Sequence, residues 1–181
     1  MNAFEELYSY ITSEPSAGGP LSLNDLQKWA DELGVSVHLA IMTEPYLSKV
    51  CTGEKYIESR LTKVNIAPFE RASADDIVLF KRSGGAITAM ALVEDTHFEY
   101  LSPREGPKSL AERYADGLGY EPGYLETKMQ ARFASLLWLR EVRTVPKIAL
   151  AKRGRQAWIT VRPFAMHQSA PTSVGSPEML F

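Results

Sequence analysis

Cysteine is almost absent from this chain of 181 residues: Cys51 stands alone. A single thiol closes no internal disulfide and builds no four-cysteine zinc site, and it fits a reducing compartment. Histidine is nearly as scarce. His38, His97 and His167 are scattered and match no metal-ligand spacing, which argues against a zinc hydrolase or zinc deaminase. No metal site and no cofactor are expected. No apolar run approaches the roughly 20 residues that a membrane span needs. The opening MNAFEELYSY carries acids where a secretory leader carries bases. The sequence therefore predicts no membrane partner and a cytoplasmic location. Also missing are the G-x-x-x-x-G-K-S/T phosphate loop, the G-x-G-x-x-G turn and the G-x-S-x-G nucleophile elbow. Ser83-Gly84-Gly85 is a glycine cluster of the hairpin-turn kind. Cys51 reads as a buried structural thiol rather than a nucleophile, because no histidine is near it in sequence.

What is present is ordinary in bulk and uneven in layout. Hydrophobic content of 45% and charged content of 23% fit one globular domain with appendages. A formal net charge of −2 rules out a polycation that would bind nucleic acid indiscriminately. Residues 1–37, however, hold Glu5, Glu6, Glu14, Asp25, Asp31 and Glu32 against Lys28, a net of −5. Residues 128–162 hold Lys128, Arg132, Arg140, Arg143, Lys147, Lys152, Arg153, Arg155 and Arg162 against Glu141, a net of +8. Either the basic segment meets phosphates, or the two segments are solvated faces of opposite sign.

Phe4, Leu7, Tyr8 and Ile11 recur at helical spacing over 2–12. After the breaker-rich stretch 13–20, Ser22 and Asp25 form a capping-box pattern ahead of Leu26, Trp29, Ala30 and Leu33, and Gly34 ends that helix. These two helices form an expected N-terminal extension, residues 1–36. The main body, 37–162, reads as strands over 37–42, 56–64, 77–81, 86–93 with a possible continuation over 96–101, and 157–161. A short helix follows Thr43, which is expected to cap it, with Pro45 in its first turn. Residues 103–130 read as helix or loop. Residues 131–143 suit either a buried helix or a strand, and the β-prone run from Val142 to Pro146 favours strand. Residues 163–181 form a Ser- and Pro-rich tail that is expected to be disordered. Five or six short strands with interspersed helices predict an α+β fold, a small mixed β-barrel that removes exposed edges.

The candidate site is Gly53-Glu54-Lys55-Tyr56-Ile57-Glu58-Ser59-Arg60. Alternating charges on a β-prone run are unusual, because burying an unpaired charge is costly. Three readings stay open for Lys55, Glu58 and Arg60: a structural salt-bridge cluster, a ligand pocket, or a catalytic group. A lysine and an arginine would anchor phosphate or carbonyl oxygens. A glutamate held between them would accept hydrogen bonds from an exocyclic amine or act as a general base. Tyr46 and Trp158 would offer stacking faces for an unpaired base. Lys147, Lys152, Arg153 and Arg155 would track a nucleic-acid backbone. Ser135 would be a polar donor in the cleft or an ordinary strand residue.

These segments, in this order, resemble the ASCH domain family, which is related by fold to the PUA domain. The resemblance rests on Glu44-Pro45-Tyr46-Leu47, on Gly53-x-Lys55-x-x-Glu58-x-Arg60, and on Asp75-Asp76-Ile77-Val78-Leu79-Phe80. It is completed by Ala131 to Leu139 and Ala157 to Val161, and it spans about residues 37–162. It implies a PUA-like barrel whose cleft holds Lys55, Glu58 and Arg60. It further implies a partner that is RNA, single-stranded nucleic acid or a modified nucleoside. Some family members are hydrolases, among them a ribonuclease and an amidohydrolase of N4-acylated cytidines. The amidohydrolase type carries lysine and threonine at the positions matching Lys55 and Glu58, so glutamate here stands where that type has threonine.

Overall fold

The computed structural model describes residues 1–13, 19–151 and 154–167. Six strands form one sheet in the order β2-β5-β4-β3-β1-β6. They are β1 (Val37–Met42), β2 (Ile57–Thr62), β3 (Ile77–Arg82), β4 (Ile87–Tyr100), β5 (Phe133–Ile148) and β6 (Trp158–Val161). β1 runs parallel to β3, and every other pair is antiparallel. β4 and β5 form a long ribbon with three register shifts, the kind of bulge that bends a strand and sharpens its twist. The sheet curls into a half-barrel. Its two edges, β2 and β6, share no ladder among the described residues. Instead the Arg60 guanidinium of β2 spans the gap, donating to the carbonyls of Ile41 at 3.2 Å and Ala157 at 3.3 Å. The expected α+β barrel is therefore present as a half-barrel whose seam is closed by a side chain.

Both faces of the sheet are covered, which explains the long apolar runs in β1, β3 and β5. On the convex face, α1 (Ala3–Ser13) and α2 (Leu23–Leu33) pack Phe4, Leu7, Leu26 and Trp29 against Val37, Leu39, Ile77 and Leu79. On the concave face, Val78, Phe80, Ala89, Ala91, Leu137 and Leu139 pack against Leu47 and Val50 of α3 (Tyr46–Thr52). A third cluster joins Ile57, Leu61, Ala134 and Leu136 to Leu110 of α4 (Glu105–Arg113) and Leu118 of α5 (Ala115–Leu118). Residues 131–143 looked ambiguous for this reason: β5 is buried on both sides and shows no clean alternation.

The capping box of α2 forms as its sequence predicts. Ser22 N–H donates to Asp25 Oδ2 at 2.6 Å, and Asp25 N–H donates to Ser22 Oγ at 3.3 Å. The side-chain cap of α3 differs from expectation. Thr43 contributes only its carbonyl, and the Glu44 carboxylate accepts from the Ser48 N–H and hydroxyl at 3.1 and 2.8 Å. Pro45, at the cap position, has no side-chain acceptor of its own. Cys51 is exposed rather than buried, because a helix of seven residues turns only Leu47 and Val50 inward. The segment expected to be a tail begins with a helical turn, α6 (Phe164–His167), whose first N–H donates to Asp31 at 2.7 Å. Residues 168–181 of that expectation lie outside the described residues. Among the described residues no helix is long and apolar enough to cross a membrane, and no cluster of His, Cys, Asp and Glu is placed to hold a metal ion.

Candidate functional site

The charged motif becomes a pocket because of the turn that precedes it. Gly53 ends α3 at φ 81°, a left-handed conformation that glycine adopts without strain, and its N–H caps Val50. The chain doubles back, Lys55 N–H donates to the Lys49 carbonyl at 3.0 Å, and β2 starts two residues later. Side chains two apart in a strand share a face, so Glu58, Arg60 and Thr62 point together into the concavity.

Lys55 and Glu58 are buried to 3% and 2% exposure. Lys55 Nζ donates to the carbonyls of Ile57 at 2.8 Å and Leu118 at 2.9 Å, and it lies 3.6 Å from Glu58 Oε2. Arg60 Nε donates to Glu58 Oε1 at 2.8 Å. Glu58 Oε2 has no hydrogen-bond partner although it is fully buried. An unsatisfied buried carboxylate oxygen is rare and costly, and this one belongs to a residue lining a cavity of about 290 Å³. Burial pulls the Lys55 ammonium below its ordinary pKa, and Glu58 pulls it the other way.

Three tyrosines wall the cavity: Tyr46, Tyr120 and Tyr124. Tyr124 stands edge-on to Tyr46 with ring centres 5.4 Å apart and tilted to Tyr120 at 4.5 Å. Lys55 Nζ lies 6.0 Å from the Tyr46 ring centre and 5.7 Å from that of Tyr120. The Tyr120 hydroxyl is 2.9 Å from Ser59 Oγ. Lys128 completes the lining, its ammonium 5.5 Å from the Tyr124 ring centre. Burial, with Arg60 nearby, lowers the pKa of Lys128. Lys55, Arg60 and Lys128 outnumber Glu58, so the cavity favours an anionic or neutral ligand.

Of the residues expected at the site, Lys55, Glu58, Arg60 and Tyr46 come together in this cavity. Ser135 lies directly across the ladder from Arg60 but is 2% exposed and does not line the cavity. Trp158 does not offer a stacking face. It is 6% exposed, its ring is covered by the Arg60 guanidinium at 5.1 Å, and its indole N–H points to Thr160 and His38. That same His38 is fully buried with Nε2 3.0 Å from Asp76 Oδ2, so Trp158 backs Arg60 through an anchored polar network. Arg155 is exposed two residues before Ala157, which lines the cavity. Lys147 is exposed near the far end of β5, on the order of 35–40 Å along the strand from Ser135. Lys152 and Arg153 lie outside the described residues. Arg140 and Arg143 are not available to phosphates, being ion-paired with Asp75, Glu5 and Glu141.

Tyr120 and Tyr124 escaped the sequence reading, and Lys128 entered it only as one of the bases of the segment 128–162. The repeated glycine–tyrosine pair of Gly119-Tyr120-Glu121-Pro122-Gly123-Tyr124 is the signal that marks the two tyrosines.

No protein-family model matches the sequence, and no curated protein matches it. Among solved structures, ASCH from Zymomonas mobilis superposes with a TM-score of 0.55 at 12% identity, over 73% of this chain and 91% of that one. Two variants of the same protein, one with a tyrosine replaced by phenylalanine and one with a serine replaced by alanine, match at the same TM-score. They cover 94% and 92% of those chains. The chain has the ASCH fold.

In this ASCH half-barrel the tyrosine wall carries its own signature. Burial pushes the Tyr124 phenol up to about 12, with the Glu58 carboxylate adding to it. Burial likewise raises Tyr120, against the Ser59 hydrogen bond. With the folded pKa raised, the unfolded chain loses its phenolic proton first. The stability tied to Tyr124 is present below pH 10.0 and lost as pH rises to about 12. Tyr124→Phe is expected to remove about 2 kcal/mol of that alkaline loss. Urea midpoints for both proteins between pH 9 and 12 measure it, and parallel curves would mean that Tyr124 is solvated.

Proposed function

We propose that this protein binds single-stranded nucleic acid, RNA foremost, and holds one unpaired nucleotide in the tyrosine-walled pocket. The observation that carries this reading is the buried Glu58 carboxylate at the cavity wall: among the described residues its Oε2 accepts no hydrogen bond and has only the Lys55 ammonium, 3.6 Å away, beside it. A base with an exocyclic amine or ring N–H would satisfy it. The rings of Tyr46, Tyr120 and Tyr124 supply the apolar and stacking walls that a base requires. Arg60 and Lys128 supply cationic donors for phosphate or carbonyl oxygens. A cavity of about 290 Å³ suits one nucleotide rather than a duplex. The ASCH resemblance supports the same ligand class.

Glu58→Gln tests it, because glutamine keeps the shape while exchanging one acceptor oxygen for a donor. The charge-assisted bond it removes corresponds to about a ten- to hundredfold loss in affinity. Fluorescence anisotropy with a labelled single-stranded RNA, on protein shown to be folded by circular dichroism, reads it out. Unchanged affinity would overturn the pocket assignment.

A second reading, metal-independent hydrolysis of RNA or of a modified nucleoside, is favoured by the same carboxylate oxygen, which accepts no hydrogen bond among the described residues, since a general base needs a lone pair that can take a proton. Lys55 would assist it electrostatically. Shortening of the RNA in EDTA that disappears in Glu58→Gln would establish it, and RNA recovered intact would leave binding as the activity.

A further inference from the structure

Beyond the pocket, one end of the half-barrel gathers cations that form no ion pair among the described residues. Arg132 N–H donates to the Thr62 carbonyl at 2.8 Å, and Leu101 N–H donates to the Arg132 carbonyl at 2.8 Å. Arg104 N–H donates to the Met129 carbonyl at 2.7 Å. These bonds bring Lys63, Arg104, Lys128 and Arg132 to the same end of the sheet. Thr62 and Lys128 already line the pocket. Lys63, Arg104 and Arg132 are exposed, and among the described residues none of the four forms an ion pair. The contrast with Arg82, Arg113, Arg140 and Arg143, each matched to a carboxylate, is sharp. Nearby, Glu99 is already held by Arg113 and His97, which leaves Glu105 and Glu126 as the neighbouring carboxylates in sequence.

The ladder carries the pocket face straight to this end. Arg60 pairs with Ser135, which pairs with Phe98; Thr62 pairs with Phe133, which pairs with Tyr100. Residues directly opposite share a face, so Tyr100 lies on the same face as Arg60, two strands across from Thr62. Strand spacing puts that at about 10 Å. Its ring rests edge-on against Phe69 at 5.2 Å and tilted against Phe133 at 5.5 Å. It is nevertheless 68% exposed, with Val64 at 60% and Ile66 at 50% exposed in the loop after β2. A ring fixed from below and open above is a stacking platform, and flanking unpaired cations are the electrostatic complement of a phosphate backbone.

We infer that the nucleic-acid path leaves the pocket between Thr62 and Lys128 and crosses this end. There Lys63, Arg104 and Arg132 hold phosphates and Tyr100 stacks a neighbouring base. The inference rests on the pocket reading and extends it: the ligand is a strand of several nucleotides rather than a free nucleoside. It replaces the basic stretch 147–155 as the main backbone track.

The test compares a fluorescein-labelled 12-nucleotide single-stranded RNA of mixed sequence with CMP, for the wild type, Lys63→Ala/Arg132→Ala, Tyr100→Ala and Glu58→Gln. Lys63, Arg132 and Tyr100 are exposed, so the rim variants are expected to keep the fold, and circular dichroism checks this for them and for the buried Glu58→Gln. Removing two phosphate contacts is expected to lower the slope of log affinity against log salt by about 1.4. Tyr100→Ala is expected to weaken the 12-mer at least about fivefold. Neither change moves the affinity for CMP. Rim variants that bind the 12-mer with wild-type affinity and salt slope, while Glu58→Gln loses it, would overturn the rim and leave the pocket standing. Loss in the rim variants alone would support the rim and sink the pocket reading instead.

Discussion

Methionine in place of Lys55 is expected to lower the free energy of unfolding by about 3–5 kcal/mol, the usual result of removing one partner from a buried ion pair. The geometry explains why the loss is large. Lys55 is 3% exposed and its ammonium donates to two carbonyls, those of Ile57 and Leu118, besides facing Glu58. Methionine matches the length of the stem but leaves both carbonyls without a donor, and it leaves Glu58 with Arg60 alone. The carbonyls matter structurally because Leu118 ends α5 and Ile57 opens β2. The same lysine thus ties the helical cover to the edge strand. Burial already works against the charged ammonium, so part of the loss returns when Glu58 is neutralised too. The double variant Lys55→Met/Glu58→Gln is expected to be less destabilised than the sum of the two single changes. Urea denaturation of all four proteins gives the coupling. A single-variant loss under about 1 kcal/mol would mean that Lys55 is a ligand group and not a clamp. The expectation also shapes how activity is probed. A dead Lys55 variant would report unfolding as readily as lost chemistry, and Glu58→Gln, which keeps the side chain's shape but leaves Lys55 without its buried counter-charge, is read only on protein shown to be folded.

Much of the architecture was legible in the sequence wherever local chemistry decides it. Ser22 and Asp25 made their capping box, and Gly34 and Gly53 ended their helices in the left-handed conformation. The β-prone apolar runs of β1 to β3, bounded by turn residues, placed those strands within a few residues of their ends, and the runs 86–93 and 96–101 proved to be one strand, β4. Those features depend on neighbours in the chain. The site was legible by half for the same reason. Lys55, Glu58 and Arg60 sit within six residues, and a strand throws Glu58 and Arg60 onto one face. Tyr120, Tyr124 and Lys128 reach the cavity from a segment with no periodicity, folded over the sheet edge by turns at Gly119 and Gly123. The charge asymmetry misled most. Arg143 is balanced by Glu5, 138 positions away, and Arg140 by Asp75, 65 positions away. A count along the chain cannot register pairs that only the fold creates. Trp158 illustrates the same limit: an aromatic residue near a basic run looked like a base-stacking face, yet its ring is spent under Arg60.

Arg60→Lys separates charge from shape at the point where fold and site meet. Arg60 does three things with one planar group. Its Nε holds Glu58 Oε1, its two terminal nitrogens reach the carbonyls of Ile41 and Ala157 across the open seam, and its face covers Trp158. Lysine keeps the charge but offers a single ammonium, which can serve one of these partners and cannot stack as a plane. Losing the charge-assisted bond or the seam pair is expected to cost about 2–3 kcal/mol of stability. Because the indole is no longer covered, tryptophan emission is expected to shift to the red. RNA affinity is expected to fall at least as far as in Glu58→Gln, since Glu58 then lacks the donor that fixes its orientation. The salt dependence of RNA binding stays at its wild-type slope, because the number of cations is unchanged. Denaturation, emission spectra and an anisotropy titration at two salt concentrations measure these together. A protein with wild-type stability and unshifted emission would show that the seam is closed by packing alone. Weakened binding with a shallower salt slope would instead make Arg60 a direct phosphate ligand. The combination expected here, lost stability and lost affinity at constant slope, belongs to a group that shapes the pocket by closing the half-barrel around it.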